Sequence, residues 1–159
     1  MTTMQLDIPA DHKFLSVLGT AVSAFVELFA DSTLAYGVQL AVHEVCANAI
    51  DHAYDTALSP TTYLDNRLHV HLLCTAAEFD VEVMDNGRIF NPQTLPWPLP
   101  TYWEALDTDN GPAYRLVSVA EPGLDQERGR GMYLVRQLMD EVIYSPQAGQ
   151  NLWRLVRKI

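Results

Sequence analysis

Residues 67–85, RLHVHLLC-TAA-EFDVEVMD, constrain the fold more tightly than any other stretch. Apolar and polar side chains alternate through 67–74 and again through 78–85. The three residues between them allow only a tight antiparallel return. Each strand then presents one apolar face, and such a face needs a second layer to cover it. A second hairpin closes the chain, with EVIYS (141–145) and NLWRLVRKI (151–159) flanking the turn PQAGQ. Near the start, MQLDIPA (4–10) alternates and stops at a proline, as a short strand does.

Helical patterns supply the second layer. Residues 11–30 carry Phe14, Leu18, Val22, Phe25 and Phe29 at three-to-four spacing. Residues 31–55 begin on a capping Asp31 or Ser32, and residues 129–142, GRGMYLVRQLMDEV, open on glycine. Residues 91–128 break both periodicities with Pro92, Pro96, Pro98, Pro100, Pro112 and Pro122, and read as a long irregular insert. The expected architecture is one α/β domain over 1–159. It is a two-layer sandwich whose mixed, mostly antiparallel sheet carries its helices on one face.

Charge narrows the function. Ten Lys and Arg face twenty Asp and Glu, a net charge of -10, which argues against a nucleic-acid partner because phosphate binding needs a basic footprint. The two lysines, Lys13 and Lys158, lie outside any glycine-rich segment, so there is no phosphate loop of the G-x-x-x-x-G-K-[ST] kind. No run of apolar residues is long enough for a membrane span, and the first residues lack the pattern of a signal peptide. A cytoplasmic protein with Cys46 and Cys74 as reduced thiols is the expectation.

The stretch VHEVCANAIDHAYD (42–55) asks for an explanation. It opens as a zinc-peptidase helix would, but Ala47 stands where the second histidine of H-E-x-x-H belongs. Val38, Val42, Val45 and Ala49 form one helical stripe; Glu44, Asn48, Asp51 and Asp55 form another. That pattern fits a packed face opposite a wet one. It also fits a site, because asparagine is a poor interior helix residue. His69 and His71 share a strand face, which is either solvated or metal-binding. Two further stretches bear on the choice. VEVMDNGRIFNP (81–92) is a strand delivering Asp85 into Asn86-Gly87, and ERGRGMYLV places Gly129 and Gly131 at a helix start, where free N–H groups attract anions.

The order E-x-x-x-N, then D-x-G, then G-x-G at a helix start resembles the GHKL ATP-binding superfamily. Within it the chain looks most like the anti-sigma-factor serine kinases. HEVCANAIDHAY is similar to their N box, MDNGRIFNP to the first glycine box, and GRGMYLVRQLMDEV to the second, so residues 4–90 and 127–159 are covered. The resemblance implies ATP and Mg²⁺ as cofactors. Asn48 would present its amide oxygen to Mg²⁺, and Asp85 would take the exocyclic amine of adenine. Gly87 would let the backbone lie against the ring. Gly129 and Gly131 would offer N–H groups to the phosphates, with Arg128 or Arg130 adding charge. Glu44, one turn before Asn48, would be the general base. His52 and Tyr54 match the family pattern and are expected to pack, while Asp51 and Asp55 are expected to be solvated. The implied partners are a STAS-domain anti-anti-sigma protein, a sigma factor or other switch protein, and a second copy in a homodimer. A binding-only module that lost phosphoryl transfer is the alternative.

Two departures mark the chain. Ile89 stands where many relatives have a second glycine, and the segment 95–126, expected to hold the lid over the nucleotide, is long, aromatic and proline-rich. Trp97, Tyr102 and Trp103 there are either a satellite core or a docking surface.

Overall fold

The computed structural model describes residues 1–53 and 66–159, so Tyr54 and Asp55 lie outside the described residues. Strand β1 (Thr2–Pro9) leads through a short 3-10 turn into helix α1 (Leu15–Glu27). Helix α2 (Ser32–Asn48) follows and ends in a π-helical turn, Ala49–Ala53. Asp31 caps α2, its side chain accepting the Leu34 N–H at 2.8 Å. Strands β2 (Arg67–Cys74) and β3 (Glu78–Asp85) form the expected hairpin. Strands β4 (Thr101–Thr108) and β5 (Gly111–Val119) form another, followed by α3 (Arg130–Leu138), β6 (Glu141–Gln147) and β7 (Gln150–Lys158).

The seven strands make one sheet in the order β1-β2-β3-β7-β6-β5-β4. Every pairing is antiparallel, so the expected mixed sheet contains no parallel pair among the described residues. The inward face presents Leu68, Val70, Phe79, Val81, Val83, Trp153 and Leu155 to the buried side chains of the helices, among them Val22 and Val26 of α1 and Val38 and Val42 of α2. Each such burial contributes roughly 1.5–3 kcal/mol. These facing side chains, more than helix propensity, therefore hold the two layers together. The outer face is polar: Arg154 reaches Asp80 at 2.6 Å, Arg115 lies 3.5 Å from Glu104, and His69 and His71 lie near different carboxylates, Asp7 and Glu82.

The segment 91–128 departs most from its sequence reading. Its middle is a regular hairpin that extends the sheet beyond β6, turning through Asp109 and Asn110 into Gly111 at φ 104°. A register shift at Tyr102/Trp103 bulges β5, and Arg136 of α3 donates to the Val117 carbonyl there at 3.1 Å. Trp103 is buried, stacks on Trp97 at 5.7 Å and meets Trp153 edge-on at 6.0 Å, so the two tryptophans of the insert belong to an aromatic core. Tyr102 points away and is 60% exposed.

Candidate functional site

A cavity of about 700 Å³ opens where the C-terminal end of α2, the C-terminal end of β3 and the start of α3 meet. Glu44, Asn48, Asp85, Gly129, Arg130 and Gly131 all line it, as do His52, Arg88 and Arg128. Three stretches far apart in the chain therefore share one space. Its size falls in the range of small-molecule sites.

Local chemistry explains how they converge. The π-turn after Asn48 carries the Ala53 carbonyl to the Arg88 N–H at 2.7 Å and the His52 carbonyl to the Arg88 guanidinium at 3.1 Å. Gly87 makes this approach possible: a Cβ there would lie 2.5 Å from both the Cβ and the carbonyl oxygen of Ala53. Its role is thus to seal two chain segments together, and it does not itself line the cavity. A wide π-turn also offsets the drift of an α-helix, so His52 stays on the side of Glu44 and Asn48 and borders the same space.

At the other end, Gly129 caps α3 in the left-handed region, φ 85°, without a side-chain hydrogen bond. The first-turn amides that follow have no intrahelical acceptor, which with the helix dipole makes this rim attractive to anions. The Glu44 carboxylate reaches this rim. Its Oε2 stands 2.5 Å from where a Gly131 Cβ would be, so a side chain at 131 would make the carboxylate swing away from this position. Arg130 lines the cavity, yet its guanidinium donates to the carbonyls of Gln126, Gly123 (2.8 Å) and Leu124 (3.5 Å), tying down the loop before α3. Arg128 and Arg88 are the other cations on the wall.

Asp85 is 2% exposed, and burial lifts its carboxyl above the ordinary range; hydrogen bonds from Asn151 and Gly87 oppose that shift. Its Oδ1 accepts the Gly87 N–H at 2.9 Å and the Asn151 amide at 2.7 Å, while its Oδ2 has no hydrogen-bond partner among the described residues. Sequence reasoning missed Asn151. It is fully buried on β7 directly across from Asp85, but in sequence it is only the first residue of the closing strand, next to the turn. Tyr144 of β6 was missed too. Its hydroxyl donates to Asn151 Oδ1, and burial, partly opposed by the Phe90 N–H, pushes its pKa up to about 12. Phe90, Trp97 and Trp153 supply apolar wall. Behind the site Cys46 is buried, and burial pushes its thiol pKa up, which disfavours the thiolate. Both cysteines are free. Asp51, outside the cavity, pairs with His12 at 2.6 Å on the surface. No helix among the described residues is long and apolar enough to cross a membrane.

Comparison with known proteins bears on the fold and the family. A family model described as the histidine kinase-like ATPase domain matches residues 8–156. The serine-protein kinase RsbW of Halalkalibacterium halodurans is 26% identical over 154 residues, covering 92% of this chain and 78% of its own length. The protein of the same name from Bacillus pumilus is 25% identical over 155 residues, covering 92% and 80%. The crystal structure of the RsbU and RsbW domains of Rv1364c from Mycobacterium tuberculosis superposes with a TM-score of 0.60 at 14% identity. That match covers 99% of this chain and 33% of the longer one.

Proposed function

Because the chain belongs to the histidine kinase-like ATPase domain family, we propose that it is an ATP-dependent serine/threonine-protein kinase. On this reading it works in a partner-switching system, phosphorylates a STAS-domain anti-anti-sigma protein and binds a sigma factor as the competing partner. The names of the two similar proteins support the kinase reading. The observation that carries it is the single cavity lined together by Glu44, Asn48, Asp85 and the start of α3.

The residues present suit Mg-ATP. Asp85 leaves one carboxylate oxygen for an amino group, the glycine-led start of α3 offers unsatisfied N–H groups, and Asn48 offers an oxygen donor of the kind magnesium prefers. When bound, Mg²⁺ neutralises phosphate charge and ATP supplies the phosphoryl group. Asp85 would fix the adenine base and Asn48 would hold the metal. The α3 amides, with Arg128 or Arg88, would receive phosphate oxygens. Glu44 takes the proton of the incoming serine or threonine hydroxyl, and one helical turn of offset keeps it beside the metal ligand without replacing it. A homodimer and a cytoplasmic location complete the proposal.

A binding-only module is the second reading. It is favoured by Arg130, whose guanidinium is committed to loop carbonyls and withheld from phosphate. Calorimetry and a transfer assay separate the two. Wild type binds Mg-ATP, Asn48→Ala loses binding, and Glu44→Ala keeps binding but loses transfer to a STAS-domain substrate. Absence of wild-type transfer selects the second reading, as does absence of nucleotide binding at millimolar ATP.

A further inference from the structure

A directional chain of hydrogen bonds ends on Asp85. The Phe90 N–H donates to the Tyr144 hydroxyl oxygen at 3.2 Å, the Tyr144 hydroxyl donates to Asn151 Oδ1, and Asn151 Nδ2 donates to Asp85 Oδ1 at 2.7 Å. Its polarity is forced, because it starts on a backbone N–H that can only donate and ends on a carboxylate oxygen. The second N–H of Asn151 goes to the Arg88 carbonyl at 3.0 Å. Both amide N–H groups are therefore used, and swapping its ends would set oxygen against two acceptors. Such a chain in a buried setting strengthens each member.

We propose that Tyr144 and Asn151 are positioning residues for base recognition: they lock Asp85 with Oδ1 turned into the protein, leaving Oδ2 to read an amino group on the bound base. This deepens the adenine-nucleotide reading of the cavity and rests on it. Two neighbouring donor groups are already committed. Both N–H groups of Asn151 are spent, and the Trp97 ring N–H donates to the Pro92 carbonyl at 2.8 Å. The relay is also tied to the wall a base would touch. Phe90, whose backbone starts the chain, lines the cavity and stacks on Tyr144 at 4.3 Å with the rings 12° apart. A ligand that moves Phe90 therefore moves the first link of the chain that orients Asp85.

The test compares ATP with purine riboside 5′-triphosphate, which lacks the exocyclic amine, on wild type, Tyr144→Phe and Asn151→Leu. Tyr144→Phe keeps the ring and its packing against Phe90 and Trp153, so it carries the test even if Asn151→Leu folds poorly. Wild type is expected to prefer ATP by about tenfold or more, the scale of a hydrogen bond to a charged acceptor. Tyr144→Phe should lose most of that preference through weaker ATP binding, with analogue affinity unchanged to within about twofold. A merely structural role weakens both ligands in parallel. Parallel weakening, or a preference kept intact, overturns the relay while leaving the nucleotide site standing. Wild type binding both ligands equally overturns base reading by Asp85, and wild type binding neither overturns the adenine site itself.

Discussion

Gly87→Ala tests how the site is held together. The new Cβ would meet the Ala53 Cβ and carbonyl oxygen at 2.5 Å and the carbonyl carbon at 2.8 Å, and two of these three atoms are backbone that cannot rotate away. Ordinary carbon contacts lie at about 3.5–4.0 Å, so β3 and the π-turn must separate by roughly 1 Å. Overpacking of this kind costs about 1–3 kcal/mol. The separation also stretches the 2.7 Å bond from the Arg88 N–H to the Ala53 carbonyl, adding about 0.5–1.5 kcal/mol. The sum of about 1.5–4.5 kcal/mol lowers Tm by roughly 3–18 °C in a domain of this size. Thermal melts by circular dichroism at one fixed scan rate would measure it. Gly123→Ala is the control, since nothing lies within 4 Å of its added Cβ and its φ is not positive. Ala53→Gly in the Gly87→Ala background should recover only part of the loss, because the carbonyl contact remains. Nucleotide affinity should fall as well, since the π-turn carries His52 and follows Asn48 directly. A Gly87→Ala protein melting within about 2 °C of wild type would refute the close-approach reasoning.

Two further outcomes follow from geometry. The Asp85 carboxyl is raised on folding, so its ionisation opposes the folded state: its contribution is fully present below the unfolded value near 3.8 and is lost as pH rises through the higher folded value. Asp85→Asn, whose amide oxygen can still accept from Gly87 and Asn151, should therefore gain stability relative to wild type at pH 7 and lose that advantage near pH 4, while losing nucleotide binding; urea melts at the two pH values check it. Asp31→Ala removes the cap on α2 and should cost about 1 kcal/mol in the same urea melts, leaving the preference for ATP unchanged.

The alternation in 67–85 and the three-to-four spacing in 11–30 made the layers legible, because a half-buried strand and an amphipathic helix each impose a period on their own residues. The convergence of Glu44, Asn48, Asp85 and the α3 glycines was legible only through their order along the chain, since no local rule links them. The β4–β5 hairpin escaped notice although Asp109-Asn110-Gly111 is a turn signal. Pro100 precedes it, Pro112 lies inside β5, and β4, an outer strand, leaves most of its side chains wet, so no alternation survives. Asn151 escaped for a different reason. Its function is a cross-strand bond to a residue 66 positions earlier, and nothing around it in sequence reports that partner. The same holds for Tyr144, which looks like one more β-forming aromatic until its hydroxyl is followed.

The strand order gives β7 a particular consequence for assembly. It is the last strand in sequence yet sits at the centre of the sheet, and without it β1-β2-β3 and β6-β5-β4 would be two triplets with no hydrogen bond between them. Asp85 and Asn151 face each other across the seam that β7 closes. A partly folded chain can thus hold its helices and the first hairpin and still have no place for a ligand. Competence arrives only with the most non-local pairing, the step that loop entropy makes slow.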